Sequence, residues 1–308
     1  MAQKVVIICD PGIDGAFAVA LALFDPRVEV LGLAATAGNV SAEQATKNIH
    51  ILIEQLDPPR WPRLGEAPAV EYEQDGTTLH GPTGLGNTSF PVSTLHNLLS
   101  SEKLICDLIK QHPREVTVVC MGPLTALARA FEVHSDLPAL VKQIVVLGGT
   151  LHEPGNAGPV SEFHFFCDPR AARDVLQCRA PITLLPLDVM RQVLFSPRDL
   201  LGLPSDGSRP CAFLRQIVPF GIAATSNLYG IEGFHLKDVL GTVAVAVPEA
   251  ITTKPMIVDV ETRGELTRGM SVFDRRHWLR APSNVDVAVD VDSQAVREYI
   301  VRILKLNE

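Results

Sequence analysis

The chain is short of positive charge, with 27 Lys and Arg against 35 Asp and Glu in 308 residues, a formal net charge of −8. A nucleic-acid or anionic-membrane surface needs a basic patch, so neither partner is expected. There is no block of like charge and no acidic tail. No apolar run approaches a membrane span. The opening MAQKVVIICD has a short apolar run that meets Asp10, too brief for a secretory signal and without a small-residue cleavage site. The six cysteines show no CxxC spacing. They read as free thiols of a reducing cytoplasm rather than as a zinc site or a disulfide framework. No repeat, low-complexity tract or shift in composition divides the chain, so residues 1–308 are expected to form a single domain.

Hydrophobic residues make up 46% and charged residues 20%, enough for a large buried core. Strands alternate with helices. Val5–Cys9 reads as a strand, Ala16–Phe24 as a helix, Val28–Ala34 as a strand and Ala42–Gln55 as a helix. A proline-rich loop follows, then a helix over Leu95–Lys110. EVTVVCM, IVVLGG and PITLLPLD read as further strands, and DPRAARDVLQC as a helix opened by an Asp cap and Pro. Most of these strands are continuous apolar runs, the mark of a parallel sheet covered on both faces. The tail differs: KPMIVDVETRGELTRGMSVFD reads as two strands joined at Gly264, NVDVAVDV as an alternating strand, and SQAVREYIVRILKL as an amphipathic helix. The expected fold is α/β and Rossmann-like, a mostly parallel sheet with helices on both faces and a C-terminal mixed-sheet extension.

In open α/β sheets, ligands bind at the carboxyl ends of strands. Those ends carry Asp10 and Asp14, then Thr36–Asn39, Met121–Gly122, Gly148–Gly149 with the long loop after it, and Leu187–Asp188. A later helix is expected to open at His235–Asp238. A single aspartate at a strand end is commonly a helix cap, but several polar groups at one rim point to a site. The glycines of HGPTGLG resemble a phosphate cradle, yet without a strand-to-helix context they read as a plain turn.

The stretches DPGIDGA, TAGNV, HGPTGLG, GPLTALA, GNAGPVSEF, DPRAA and VETRGELTRGMSVFDRR resemble the inosine-uridine-preferring nucleoside hydrolase family, in the family's order and over nearly the whole chain. The resemblance implies cleavage of the N-glycosidic bond of ribonucleosides in purine or pyrimidine salvage, a calcium ion at the base of the pocket, and assembly as a homodimer or homotetramer. By motif, Asp10 is implied as metal ligand and general base, Asp238 as metal ligand and ribose contact, and the Met121 carbonyl as a further ligand. Asp14 and Asn39 are implied at the ribose hydroxyls, and Asn156 and Glu162 at the 5′ end of the sugar. His80, His164 and Tyr229 are candidate substrate contacts. The chemistry suits these residue types: an oxocarbenium-like sugar calls for negative charge, and calcium takes many oxygen ligands, sugar hydroxyls included.

The chain departs from the family pattern at the site itself. The family's D-P-G-x-D-D is D-P-G-I-D-G here, so Gly15 replaces a carboxylate. Its H-D is Lys237-Asp238, which removes a histidine proposed as leaving-group acid; His235 is a possible replacement. Its E-F-N is Glu162-Phe163-His164, its G-P-L-T-N ends in Ala126, and Thr83 stands where many members have an aspartate. Four carboxylates and a dication sum to about −2, and so do Asp10, Asp14 and Asp238 with the Lys237 ammonium. Calcium is therefore expected to bind weakly or not at all, with Lys237 acting as a catalytic-site cation in its place or pointing to solvent. Two functions remain open: a ribonucleoside hydrolase with an altered active site, and a catalytically impaired nucleoside- or ribose-binding homologue.

Overall fold

Residues 5–9 are apolar throughout because both faces of their strand are covered. A computed structural model describes residues 2–93, 98–204, 208–276 and 282–306. Its strands are β1 (Gln3–Cys9), β2 (Val28–Ala35), β3 (Arg63–Glu66), β4 (Leu99–Ser100), β5 (Thr117–Met121), β6 (Gln143–Leu147), β7 (Ile182–Leu185), β8 (Leu194–Phe195), β9 (Phe234–His235), β10 (Ile251–Val260), β11 (Ser271–Asp274) and β12 (Val285–Val291). Ten of them form one sheet in the order β11-β10-β12-β7-β6-β5-β1-β2-β3-β4, while β8 and β9 pair separately. From β7 to β4 every pairing is parallel. β12 joins β7 in parallel, and β10 and β11 add antiparallel strands beyond it. The tail expected as a mixed extension is thus the edge of the main sheet.

Alternate residues of β1 enter two cores. Val5, Ile7 and Cys9 pack with the helices Ile13–Phe24, Ala42–Leu56, Arg209–Tyr229, Val239–Ala246 and Ser293–Lys305. Val6 and Ile8 pack with Ser101–Gln111, Thr125–Val133 and Pro169–Leu176 on the other face. Two-sided cover explains why the strands lack polar alternation.

The chain runs outward from β1 in both directions, through β2 to β4 and through β5 to β7. The switch point lies between β1 and β5, where Cys9 pairs with Met121, and a ligand crevice is expected at the carboxyl ends there. Asp10 is the next residue.

Several elements differ from the sequence reading. The first helix starts at Ile13 rather than Ala16, so Asp14 sits in its first turn. The helix read from Leu95 starts at Ser101, capped by the Ser100 hydroxyl, which accepts from Lys103 N–H; residues 94–97, where that reading began, lie outside the described residues. His235 is in β9, and the helix expected at His235–Asp238 starts at Val239. The HGPTGLG loop folds on itself with Gly81, Gly84 and Gly86 at positive φ. A Cβ at Gly81 would fall 2.1 Å from the Gly86 carbonyl oxygen, so this is a tight turn.

Candidate active site

Asp10 is fully buried at the end of β1. Its Oδ2 accepts the Asn39 backbone N–H at 2.8 Å, and Asn39 Nδ2 donates to the Asp10 carbonyl at 3.1 Å. Asn39 therefore positions Asp10 as well as facing the cavity. Oδ1 is buried with no hydrogen-bond partner among the described residues. It lies against the Met121–Gly122 peptide, since a Cβ on Gly122 would be 3.1 Å from it. Burial pushes the Asp10 carboxyl up to about 7, against the lowering pull of His164 and the Asn39 N–H.

Asp14 Oδ1 accepts the Gly15 N–H at 3.1 Å and lies 3.7 Å from His80 Nδ1. His80, a candidate substrate contact, is buried at the end of the short helix Thr77–His80. Its Nδ1 accepts the Ile13 N–H at 3.0 Å, so that nitrogen carries a lone pair. Burial lowers the imidazole to about 4, and a neutral ring makes no ion pair with Asp14.

Asp238 precedes the helix Val239–Ala246. Burial first, then Asp14 and Asp10, drives its carboxyl well above the usual range. A Cβ at Gly15 would meet Asp238 Oδ2 at 3.0 Å, so a carboxylate at position 15 would stand beside it. Among the described residues no three His, Cys, Asp or Glu side chains converge as metal ligands.

His164 enters from the other side. Its Nδ1 lies 3.0 Å from the Leu147 carbonyl, which can only accept, so Nδ1 carries a proton. Nε2 then faces Asp10 Oδ2 at 3.9 Å. Burial works against the imidazolium, but Glu162 and then Asp10 outweigh it and raise the His164 pKa. Glu162 caps the helix Phe163–Cys167: Oε1 accepts from His164 N–H, and Oε2 from the Gly149 and Phe165 N–H groups. It thus holds the His164 segment against the end of β6 while lining the cavity. Glu162→Gln would turn an amide N–H toward these donors. An unmet buried donor costs about 1–3 kcal/mol, so the variant is expected to melt several degrees lower; a melting curve matching the parent's would refute that role.

A cavity of about 550 Å³ opens above this floor, within the usual range for small-molecule sites. Of the residues expected from sequence, Asp14, Asn39, His80, Asn156, Glu162, His164, Lys237 and Asp238 line it. Asp10 lies buried beneath. Asn156 Oδ1 accepts the Phe163 N–H at 2.8 Å, fixing the long loop over the site. Lys237, expected either as a cation in the metal's place or as a solvent-facing side chain, is half-buried on the cavity wall and makes no ion pair within 4.0 Å among the described residues. It is not clamped between Asp10 and Asp238 as a metal surrogate would be. Asp188, also at the rim, accepts the backbone N–H groups of Leu151, His152 and Glu153, so its task is to shape that loop. Sequence reasoning missed Met190, Arg191, Leu228 and Phe234, which build the far wall. Arg191 follows Asp188 by three residues, the one local signal that could have found it.

Carboxylates gathered at a switch point, under a cavity with a partly apolar wall, define an α/β protein for a small hydroxyl-rich ligand. The chain belongs to the inosine-uridine preferring nucleoside hydrolase family, whose model matches residues 5–298. It is 34% identical over 297 residues to an inosine-uridine preferring nucleoside hydrolase of Leishmania major, covering 95% of this chain and 94% of that one. It is 32% identical to a pyrimidine-specific ribonucleoside hydrolase, RihA, of Klebsiella pneumoniae, covering 99% of both. A solved plant nucleoside hydrolase superposes with a TM-score of 0.91 at 29% identity, over 99% of each chain.

Proposed function

We propose that the protein hydrolyses the N-glycosidic bond of a ribonucleoside using Asp10 as general base, in a site whose donors do not suit calcium. The observation that carries this reading is the Asp10 carboxylate, buried at the switch point with one oxygen unpartnered beneath the cavity. A carboxyl lifted toward neutral is matched to taking a proton from water. Asp14 and Asp238 supply negative charge for the oxocarbenium-like sugar. Lys237 lines the same cavity.

The case against calcium rests on the donors. The ion needs about six to eight oxygens. Asp10 Oδ1 could serve as one, beside the Met121 carbonyl, and Asp238 as another. Gly15 contributes no side-chain oxygen, and the protonated Nδ1 side of His164 leaves only a nitrogen facing Asp10. No step is therefore routed through a metal. The cysteines are all free and no helix among the described residues is long and apolar enough to cross a membrane, which supports a cytoplasmic setting. Residues 1–308 are read as one catalytic unit, assembled as a homodimer or homotetramer as in the family's implied pattern.

Release of ribose from inosine and uridine, with and without chelator, is the test. Turnover is expected below about 1 per second, the lower end of common enzymes, and unchanged by chelator. Loss of activity on chelation overturns the metal-independent reading. Tight riboside binding with no ribose release would favour the binding homologue, the reading that the missing carboxylate at Gly15 supports.

A further inference from the structure

The cavity lining holds two chemically distinct groups of side chains. Asp14, Asp75, Glu162 and Asp238 are the carboxylates of one. Met190, Leu228, Tyr229 and Phe234 form an apolar wall suited to a flat ring, and Arg191 continues from Met190 on that side. Lys237 directly precedes Asp238 and lines the same cavity. Both cations reach the same neighbour: burial lowers the His235 pKa, and Lys237 and then Arg191 lower it further.

These cations are unequally engaged. Arg191 Nη1 donates to Glu153 Oε2 at 2.6 Å, which leaves other donors of its guanidinium fork. Lys237 has no carboxylate within 4.0 Å among the described residues, although it is half-buried and lines the cavity. Of the nearby carboxylates, Glu162 is directed toward three backbone N–H groups and Asp14 toward Gly15 N–H, while Asp238 feels the Lys237 charge from beyond ion-pair distance. A half-buried ammonium without a counter-ion is a poor neighbour for a neutral ring and a good one for an anion.

We propose that the cavity selects ribosides whose base carries a carboxylate, with Lys237 as its main counter-ion and Arg191 as the second. This rests on the reading that the carboxylate-rich part of the lining holds a ribosyl group. The sugar and the acidic base would then be sorted by charge, hydroxyls to the aspartates and the carboxylate to the cations.

Calorimetric titration of the full chain with two matched pairs tests this without requiring turnover. Orotidine is uridine with a ring carboxylate, and nicotinate riboside has a carboxylate where nicotinamide riboside has a carboxamide. In at least one pair the acidic member is expected to bind about tenfold tighter, as a charge-assisted contact provides. Lys237→Met should bring the pair to near equality, while Lys237→Arg, which keeps the charge, should retain most of the preference. Equal or weaker binding of the acidic member in both pairs, or a preference that Lys237→Met leaves intact, overturns the inference. If the neutral ribosides bind while the acidic ones show no advantage, the ribosyl-site reading stands and only this inference falls. If no riboside binds, both fall.

Discussion

Asp10→Asn is expected to slow riboside hydrolysis by about 10²- to 10⁴-fold, the usual contribution of a general base, while raising the melting temperature. The two effects share a cause. The carboxylate is fully buried with Oδ1 unpartnered among the described residues, so its charge destabilises the fold that presents it. An asparagine keeps an oxygen for the Asn39 N–H and removes the charge. The folded-state pKa, about 7, lies above the ordinary value of 3.8. Asp10 therefore contributes most favourably below about pH 4, and that contribution is lost as pH rises through about 7. At pH 8 the shift corresponds to about 4 kcal/mol, so the variant should melt several degrees above the parent, with a smaller gain at pH 5. Melting curves at the two pH values, with ribose release at pH 8, decide the matter. A variant that melts below the parent at pH 8 would show that the buried charge is compensated in some other way.

Gly15→Asp combined with Lys237→His is expected to create calcium-dependent stability that the parent lacks. The added carboxylate would start 3.0 Å from Asp238 Oδ2 at its Cβ and gather a third acidic side chain toward Asp10 and Asp238. Without metal these charges repel, so in chelator the variant should melt below the parent. At calcium a hundredfold above its dissociation constant, binding to the folded state contributes about 2.7 kcal/mol, or about 5 °C in a chain of this size. Calcium should leave the parent's melting curve unmoved. Equal curves for the variant with and without calcium would mean that position 15 is not what denies the ion a site.

The first part of the acidic rim is readable from sequence because Asp10 and Asp14 follow closely on an apolar strand, and local order decides where a strand ends. Asp10 after Cys9 and Asn39 after Ala35 are cases of this. Lys237 is different. Its place on the wall is set by how β9 and the helix Val239–Ala246 pack against the rest of the fold, which no local pattern encodes. His80 opens the HGPTGLG turn, and nothing local in that turn shows that its ring is buried. The helix Arg209–Tyr229 gives no clear periodic signal, since Pro219 and Gly221 interrupt it and it is apolar on more than one side. β3 hides in the proline-rich segment as four residues with a single buried position. The carboxylates of the cavity thus come from one strand end and from helix starts, and the apolar wall comes mainly from segments whose signals are weak.

The surroundings of Asp10 also govern how this site can change over generations. A Cβ at Gly38 would fall 1.9 Å from Asp10 Oδ2, and one at Gly122 would fall 2.8 Å from Thr36 Cγ2 and 3.1 Å from Asp10 Oδ1. On those sides almost any mutation displaces the base itself. At Gly15 a Cβ would meet the tip of the Asp238 carboxylate at 3.0 Å and, outside its own helix and chain neighbours, no other atom within 4 Å among the described residues, and Lys237 is half-buried on the cavity lining. Mutational drift is therefore channelled: the cradle of the base resists it, and the opposite wall can lose or gain charge while the fold survives. New substrate preferences in proteins of this shape should arise by exchanges at positions such as 15 and 237, and directed libraries confined to that wall should yield folded variants far more often than libraries aimed at the cradle.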